Sequence, residues 1–193
     1  MPFLKKLEAD LIVAVIPAKG SSRRLPNKNM LDLIGKPLIN YTVDYALCSN
    51  LIEAVYVSTD SDEISLHAKS MGVQVIRRDE SLGGETPIID VYRHAYKQIG
   101  DPSITYIFGL QPDHPDRSRN PDEIIQYFLE QEADQLFSKD DSGTKNGAHY
   151  IVSSRVLEGK RSSKDVIVFD RCTNVHYESD LKEAEKNIIQ RQI

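Results

Sequence analysis

Four cationic side chains lie between positions 19 and 30, a stretch that contains no acidic residue. They are Lys19, Arg23, Arg24 and Lys28. Lysine and arginine neutralise phosphate charge and donate hydrogen bonds to phosphate oxygens. The whole chain has 24 Lys and Arg against 29 Asp and Glu. This local excess of positive charge predicts a polyphosphate site, and a solvated basic loop is the alternative.

Small residues accompany these cations. Ala18, Gly20, Ser21 and Ser22 allow a ligand to approach the backbone closely, and their N–H groups can line a nest for an anion. The stretch is not a Walker A loop, because the only Gly-Lys pair near it continues into proline (Gly35 to Pro37), and no GxGxxG follows the first strand. The small residues therefore predict phosphate binding through a different loop.

Apolar runs rich in β-branched residues alternate with amphipathic stretches, which predicts an α/β fold: a single open, mostly parallel sheet flanked by helices. The predicted strands are Leu11 to Pro17, Ala54 to Thr59, Val73 to Arg77, Ile104 to Leu110, Gln135 to Ser138, Ala148 to Val152 and Val166 to Phe169. The predicted helices follow Pro37 and cover Ser61 to Met71, Pro87 to Ile99, Asn120 to Glu132 and about Ser179 to Gln190. Because ligands bind beyond the carboxyl ends of such strands, the residues that follow each strand are the candidate site.

Composition narrows the class of protein. The apolar share of 40% and the charged share of 27% are those of a globular protein, and we expect one domain over residues 1–193. The run Leu11 to Ala18 is far shorter than the about 20 residues that span a bilayer. A net charge of −5 disfavours a nucleic-acid partner. Glu8 and Asp10 precede that apolar run and Lys19 follows it, which does not fit a signal peptide, so we expect a cytoplasmic protein with no membrane partner. Cys48 and Cys172 are too few for a disulfide framework.

Four segments carry a family resemblance: IPAKGSSRRLPNKNMLDLIGKPLINYTVDYAL, VYVSTDSDEI, LQPDHP and NGAHYI. They resemble the acylneuraminate cytidylyltransferases (CMP-N-acetylneuraminate synthetases) and the related 3-deoxy-manno-octulosonate cytidylyltransferases. The similarity is dense from about Ile12 to Pro115. It implies a Rossmann-like fold of the nucleotide-diphospho-sugar transferase type. It also implies transfer of CMP from CTP to an acidic sugar with release of pyrophosphate, and a Mg²⁺ cofactor.

The resemblance also implies roles for individual residues. It makes Lys19, Lys28 and Asp113 catalytic, with Asp113 as the metal ligand; Lys19 stands where the family usually has a phosphate-contacting arginine. The nucleotide-binding residues that it implies are Ala18, Gly20, Ser21, Ser22, Arg24, Asn29 and Arg78. The acceptor-binding residues that it implies are Gln111, Asn146 and Tyr150. For Asp113 a structural Asx turn is the alternative.

The sequence departs from the family pattern at three places. Asn174 and His176 stand where the family has a pair of metal-binding acids, so the second metal site is in doubt. Pro87 to Ile89 replace a small, hydroxyl-rich segment that holds cytosine, which leaves base selectivity open. The polar turn KDDSGTK, near 139–146, replaces the family's dimerisation insertion, so we expect a monomer or a dimer unlike that of the family.

Two other functions are compatible with these departures. The chain could be a catalytically impaired nucleotide-binding or scaffold subunit, as the loss of the paired acids suggests. It could also transfer CMP to a small phosphonate or phosphate acceptor, since the shortened insertion opens the acceptor side. Measured pyrophosphate release with different acceptors separates these functions from transfer to an acidic sugar.

Overall fold

A seven-stranded sheet organises the computed structural model, which describes residues 10–83 and 86–192. Within these residues the strands are β1 (Leu11–Pro17), β2 (Asp32–Leu33), β3 (Lys36–Pro37), β4 (Ala54–Thr59), β5 (Gln74–Arg77), β6 (Ile104–Gly109), β7 (Gln135–Lys139), β8 (Lys145–Ser153) and β9 (Asp165–Phe169). The order across the sheet is β5-β4-β1-β6-β8-β7-β9, and β2 and β3 form a separate two-stranded ribbon. Within the seven-stranded sheet only β8 runs antiparallel to the other strands, and the β2/β3 ribbon is itself antiparallel.

Helices cover both faces of the sheet. They are α1 (Leu38–Leu47), α2 (Asp62–Ser70), α3 (Ile88–Ile99), α4 (Pro121–Glu130), α5 (Ser154–Leu157) and α6 (Glu178–Gln192). The apolar sides of α1, α2 and α4 pack on one face, and those of α3 and α5 pack on the other. Strand β1 is buried on both faces, as expected for a central parallel strand. Helix α6 packs instead over α1 and the loop that follows β1.

The sequence-based fold class is confirmed, with differences in detail. The sheet is open and mostly parallel, and Leu11–Pro17 and Ala54–Thr59 have the predicted bounds. Strand β8 is longer than predicted because it continues into a hairpin with β7. The polar segment between them makes a tight turn in which the Asp140 carboxylate accepts from the N–H groups of Ser142 and Thr144. The β2/β3 ribbon and α5 are too short to leave a periodic pattern.

Two further observations concern membrane-spanning helices and the cysteine thiols. Among the described residues, no helix is both long and apolar enough to cross a membrane. In the same part of the chain, Cys48 and Cys172 are free thiols. Burial raises the pKa of the Cys172 thiol well above its usual range. The thiol form of Cys172 is therefore favoured, and this side chain is a poor nucleophile.

A buried histidine and aspartate join β8 to the residue after β9. His149 Nε2 lies 2.7 Å from Asp170 Oδ2, and both side chains are inaccessible to solvent. Burial alone would raise the pKa of Asp170, but hydrogen bonds from His149 and Ser118 lower it to about 2. Burial lowers the pKa of His149 to about 4. The imidazole is therefore neutral at pH 7 and donates its Nε2–H to the carboxylate.

This pair predicts a loss of stability in mild acid. In the unfolded chain a histidine has a pKa of about 6.5, whereas His149 in the fold has about 4. Between these values the unfolded state binds the proton and the folded state does not, so the free energy of unfolding falls as pH falls through that window. Urea denaturation at pH 7 and pH 4.5 measures this decline. His149→Gln should show a smaller decline, and an identical decline in both proteins would contradict the prediction.

Candidate nucleotide-binding site

The carboxyl ends of four neighbouring parallel strands, β5, β4, β1 and β6, meet at one edge of the sheet. A cavity of about 630 Å³ opens at this edge. Its polar lining consists mainly of the predicted cations and their neighbours: Lys19, Ser22, Arg23, Arg24, Lys28, Asn29, Arg78, Gln111, Asp113 and His176. Its apolar lining includes Pro17, Leu82, Ile88, Val91 and Pro112. The cavity therefore has a strongly cationic wall and a smaller apolar wall.

Backbone contacts hold the loop that follows β1. The N–H of Ala18 donates to the Ser58 carbonyl at 2.9 Å, and the N–H of Gly20 donates to Asp60 Oδ1 at 2.7 Å. The Asn29 amide donates to the Lys19 carbonyl at 2.9 Å. The N–H groups of Ala18 and Gly20 therefore hold the loop to β4 and the residue after it, and they do not line an anion nest as predicted.

Other predicted loop residues divide between the cavity and the surface. Lys19, Ser22, Arg24 and Lys28 line the cavity, whereas Ser21 is exposed and does not. At this loop, therefore, side chains reach into the cavity, whereas the backbone N–H groups of Ala18 and Gly20 are already hydrogen-bonded within the protein. Ser22 supplies a hydroxyl at the same wall.

An ion pair at the cavity wall joins two of the predicted catalytic residues. Lys28 Nζ donates to Asp113 Oδ2 at 2.7 Å and to the Val175 carbonyl at 2.9 Å. The side chains of Lys28 and Asp113 are 13% and 12% exposed. Residues 28, 113 and 175 come from three distant parts of the sequence, and the ammonium group connects all three segments at one point.

The environment of Asp113 favours its ionised form. Burial alone would raise the pKa of Asp113, but the contacts with His114 and Lys28 hold this pKa well below its usual range. His114 Nδ1 lies 3.0 Å from Asp113 Oδ1, and the imidazole is inaccessible to solvent. A carboxylate, rather than a carboxylic acid, therefore faces the cavity at neutral pH.

Arg78 forms another part of the cavity wall. It directly follows β5, and only 8% of its surface is exposed. Burial lowers its pKa, and the nearby Asp60 carboxylate opposes that shift. Its Nε has no hydrogen-bond partner within the described structure. A buried guanidinium N–H without a partner is costly, so a ligand oxygen at this wall would satisfy it.

The segment before α6 contains Asn174 and His176, which stand where the family has two acids, and one of them reaches the cavity. His176 lines the cavity, whereas the Asn174 side chain does not. Between them, Val175 N–H donates to the Asp113 carbonyl at 2.9 Å. Burial and the positive charges of Arg24 and Lys28 lower the pKa of His176. His176 therefore brings an imidazole to the cavity that also contains Asp113.

The three predicted acceptor residues are not brought together. Gln111 lines the cavity, but Asn146 and Tyr150 do not. Asn146 Oδ1 accepts from Ser138 Oγ at 2.5 Å and from the Ala148 N–H at 3.2 Å, so it shapes the β7/β8 hairpin. These contacts give Asn146 a structural role in this state of the protein.

Tyr150 belongs to the core. Its ring stacks on Phe137 with centroids 4.9 Å apart and meets Tyr92 edge-on at 5.4 Å. Its hydroxyl donates to Gln135 Oε1 at 2.7 Å. An acceptor-binding role for Tyr150 would require this hydroxyl to leave its partner.

Gly147 controls the position of the Gln111 amide. The residue has a φ of +80°, and a Cβ at this position would lie 2.4 Å from Gln111 Nε2. The replacement of Gly147 by alanine should push that amide out of its place and cost about 1–2 kcal/mol for the left-handed backbone. The expected result is a raised KM for the acceptor with CTP binding nearly unchanged. Gly143→Ala, at a φ of +82° with nothing near its Cβ, carries the same strain and is the control.

The donor set suits a metal ion that is shared with a nucleotide. Among the described residues, no group of three or more His, Cys, Asp and Glu side chains is placed to hold a metal ion. Asp113 supplies one ionised carboxylate in the cavity, and Gln111 and His176 add neutral donors. Mg²⁺ commonly binds proteins through one or two carboxylates together with substrate phosphates. The residues therefore fit a metal that enters with a polyphosphate.

Comparison with known proteins assigns the family. A family model described as cytidylyltransferase matches residues 13–189, which include every cavity residue named above. The chain belongs to the cytidylyltransferase family. The resemblance drawn from the loop after β1 is therefore confirmed.

Two curated cytidylyltransferases illustrate the similarity. The 3-deoxy-manno-octulosonate cytidylyltransferase of Bdellovibrio bacteriovorus is 36% identical over 156 residues, which cover 81% of this chain and 58% of that protein. The N-acylneuraminate cytidylyltransferase of Escherichia coli O18:K1:H7 is 38% identical over 107 residues, which cover 55% of this chain and 25% of that protein. The chain thus spans at most about three fifths of the length of these cytidylyltransferases.

Solved structures support the fold. A CMP:2-keto-3-deoxy-manno-octonic acid synthetase complexed with CTP superposes with a TM-score of 0.77, at 17% identity, over 94% of this chain and 100% of that chain. Rv0371c from Mycobacterium tuberculosis, in complex with manganese, superposes with a TM-score of 0.64, at 14% identity, over 91% and 98%. The cytidylyltransferase chain described here therefore has the same Rossmann-like fold as these two proteins.

The contacts of three residues at the site were not predicted from the sequence. Asp60 binds the Gly20 N–H, His114 contacts Asp113, and Arg117 donates to backbone carbonyls of the turn after β6. Asp60 has a sequence signal, because it directly follows β4, where this fold places ligands. The contacts of His114 and Arg117 depend on the tertiary structure, which the local sequence does not reveal.

Proposed function

We propose that this chain transfers CMP from CTP to a hydroxyl of an acidic sugar, of the nonulosonic or octulosonic acid type, and releases pyrophosphate. The observation that carries the proposal is the Lys28–Asp113 ion pair at the wall of a cationic cavity beyond the carboxyl ends of β1 and β6. A cation and a carboxylate at one point can serve the nucleotide phosphates and their metal ion at the same time.

The cations of the loop stabilise charge on the phosphates. The acceptor oxygen attacks the α-phosphorus in line, and negative charge develops on the leaving pyrophosphate. Lys19, Arg24 and Lys28 line the same cavity, so their charges act on the phosphates without reorganisation of the loop. Lys28 is the most constrained of these groups, since it is anchored to Asp113 and to Val175.

Asp113 is the proposed ligand of a divalent metal ion, and we propose Mg²⁺. The metal would neutralise phosphate charge when bound. Asp113 offers it an ionised carboxylate whose Oδ2 is held by Lys28. As phosphates enter, Lys28 can exchange this contact for a phosphate oxygen and leave the carboxylate to the metal. His176, a neutral donor, adds less affinity for Mg²⁺ than a carboxylate would.

The apolar wall is the proposed base subsite. Leu82, Ile88 and Val91 give it a surface for a flat ring, and Arg78 at its side has an unpartnered Nε for a ring carbonyl or a phosphate oxygen. The replacement of a hydroxyl-rich segment by Pro87 to Ile89 removes donors that could read cytosine. Base discrimination in this chain should therefore depend more on Arg78 than on hydroxyl groups.

The charge of the cavity favours an acidic acceptor. Asp113 is the only acidic side chain among its lining residues in the described parts of the chain, and Lys28 already balances it. Arg24 and Lys19 remain to attract a carboxylate or a phosphate. Gln111, beyond β6, can hydrogen-bond a sugar hydroxyl through its amide.

A nucleotide panel followed by an acceptor screen tests the proposal. We expect CTP with Mg²⁺ to raise the melting temperature more than UTP, ATP or GTP, because a ligand at 100 times its Kd adds about 2.7 kcal/mol of stability. Pyrophosphate release should then require a nonulosonic or octulosonic acid. Release with a small phosphonate alone would replace the proposed acceptor. Nucleotide binding with no release for any acceptor would support a scaffold subunit, and no binding would overturn the proposal.

A further inference from the structure

Arg117 stands at the end of the turn that follows β6 (residues 111–117) and is partly buried between β6, β8 and α1. Its Nε donates to the Ala148 carbonyl at 3.0 Å, and one terminal nitrogen donates to Thr42 Oγ1 at 2.8 Å and to the His114 carbonyl at 2.5 Å. The other terminal nitrogen donates to the Gln111 carbonyl at 2.6 Å. The guanidinium thus spans the turn that presents Gln111 and Asp113 to the cavity.

The four oxygens that accept these hydrogen bonds from the guanidinium are all neutral. Burial lowers the pKa of Arg117, although the group stays a cation at any pH of interest. The Tyr45 ring lies 5.2 Å from its central carbon. A guanidinium partly withdrawn from water without a hydrogen-bonded carboxylate costs free energy. The retained charge therefore points to a function other than stability.

The two carbonyls that Arg117 holds on the turn flank Asp113 in the sequence. Arg117 donates to the Gln111 and His114 carbonyls, and the Val175 N–H donates to the Asp113 carbonyl between them. We propose that Arg117 is a positioning residue for nucleotidyl transfer, which fixes the backbone of the turn so that the Asp113 carboxylate and the Gln111 amide face the nucleotide. This inference depends on the proposed function.

Lysine cannot replace this guanidinium. Three different nitrogen atoms of Arg117 donate to backbone carbonyls. One of these carbonyls is on β8, and the other two are in the turn after β6. An ammonium group has a single nitrogen and cannot match the planar fork. Arg117→Lys therefore keeps the charge and releases part of the turn.

The experiment compares Arg117→Lys with the native chain in three measurements. We expect kcat to fall about 10- to 100-fold, since a displacement of about 1 Å at reacting groups has effects of this size. The Kd for CTP without metal should change less than about threefold, because Arg78 and the apolar wall lie on other elements. Amide hydrogen exchange should rise in a peptide that covers residues 111–117 and stay unchanged in β1 and β4.

Arg93→Lys is the matched control. Arg93 Nε donates to the Leu157 carbonyl at 2.9 Å and its guanidinium pairs with Asp90, so it joins α3 to α5 away from the turn. We expect this variant to lose stability without a change in kcat or in exchange at residues 111–117. If kcat fell in both variants in the same proportion to the fall in melting temperature, the role of Arg117 would be purely structural. That result would overturn the proposal.

Two further arms keep the proposal testable. If Arg117→Lys does not fold, Thr42→Val removes one contact of the guanidinium and should raise exchange in the turn with a smaller loss of kcat. Unchanged exchange in a folded variant would overturn the positioning role. If the native chain transfers no CMP, the proposed function fails, whereas the exchange measurement still reports on the turn. The two failures are therefore distinguishable.

Discussion

The replacement of Lys28 by methionine should lower kcat for CMP transfer by about 10²- to 10³-fold, the usual effect of the loss of one group that stabilises charge in a transition state. Methionine keeps the apolar stem of the side chain and removes the ammonium group. That group is 2.7 Å from Asp113 Oδ2 and 2.9 Å from the Val175 carbonyl, so its position is fixed before the nucleotide arrives. Steady-state kinetics at saturating CTP measure the effect.

The stability of this variant needs a separate measurement. Without Lys28, the buried Asp113 carboxylate keeps its contact with His114 and loses its ion pair, so the melting temperature should fall. The double variant Lys28→Met, Asp113→Asn should regain much of that stability and none of the activity. Lys36→Met removes an exposed lysine that pairs with Asp44 outside the cavity, and it should match the native kcat. Full activity in Lys28→Met would refute the assigned role.

The position of the site could be predicted from the sequence because it follows from topology. Parallel strands end at one edge, so the loop after β1, Arg78 after β5, and Gln111 and Asp113 after β6 had to converge once the strands were recognised. The strand pattern was recognisable because buried parallel strands are continuous apolar runs. In this way the fold brings together residues that are up to 94 positions apart in the sequence, such as 19 and 113.

The internal contacts of the site could not be predicted from the sequence. Whether the Gly20 N–H faces a ligand or the Asp60 carboxylate depends on a tertiary distance of a few ångströms. Likewise, the alternation of β8 places Tyr150 on a buried face, and its hydroxyl finds Gln135 on the neighbouring strand. A family motif gives the order of residues along a strand, but hydrogen-bond partners decide which of them reach the cavity.

The contact between Lys28 and Asp113 couples the two side chains, so a change at one alters the environment of the other. Each holds the other in the absence of ligand, and the Val175 carbonyl and N–H connect the pair to the segment before α6. In the proposed function, a nucleotide phosphate would compete for Lys28 and a metal ion for Asp113, so binding of either would free the partner for the other. Nucleotide and metal should therefore bind with positive cooperativity.

Asp113→Asn tests this coupling most directly, and we expect it to abolish the metal dependence of CTP binding while kcat falls by at least about 10²-fold. Asparagine has nearly the same shape but lacks the charge that holds a hard cation. Lys28 keeps the Val175 carbonyl and can still meet a phosphate, so CTP without metal should bind as well as to the native chain or better. Calorimetric titration of CTP, with and without Mg²⁺, measures both effects.

The control for this variant is Asp116→Asn. Asp116 lies in the same turn and is 2% exposed, but its carboxylate accepts from the Thr173 N–H and hydroxyl and from Asn187 on α6, outside the cavity. Its loss should lower stability and leave the metal dependence of CTP binding intact. If Asp113→Asn retained a Mg²⁺-dependent gain in CTP affinity while Asp116→Asn lost it, the metal would bind elsewhere, and the assignment of Asp113 would be wrong. Both carboxylates are buried in the same turn, but only that of Asp113 faces the cavity. A difference between the two variants therefore distinguishes a metal ligand from a structural acid.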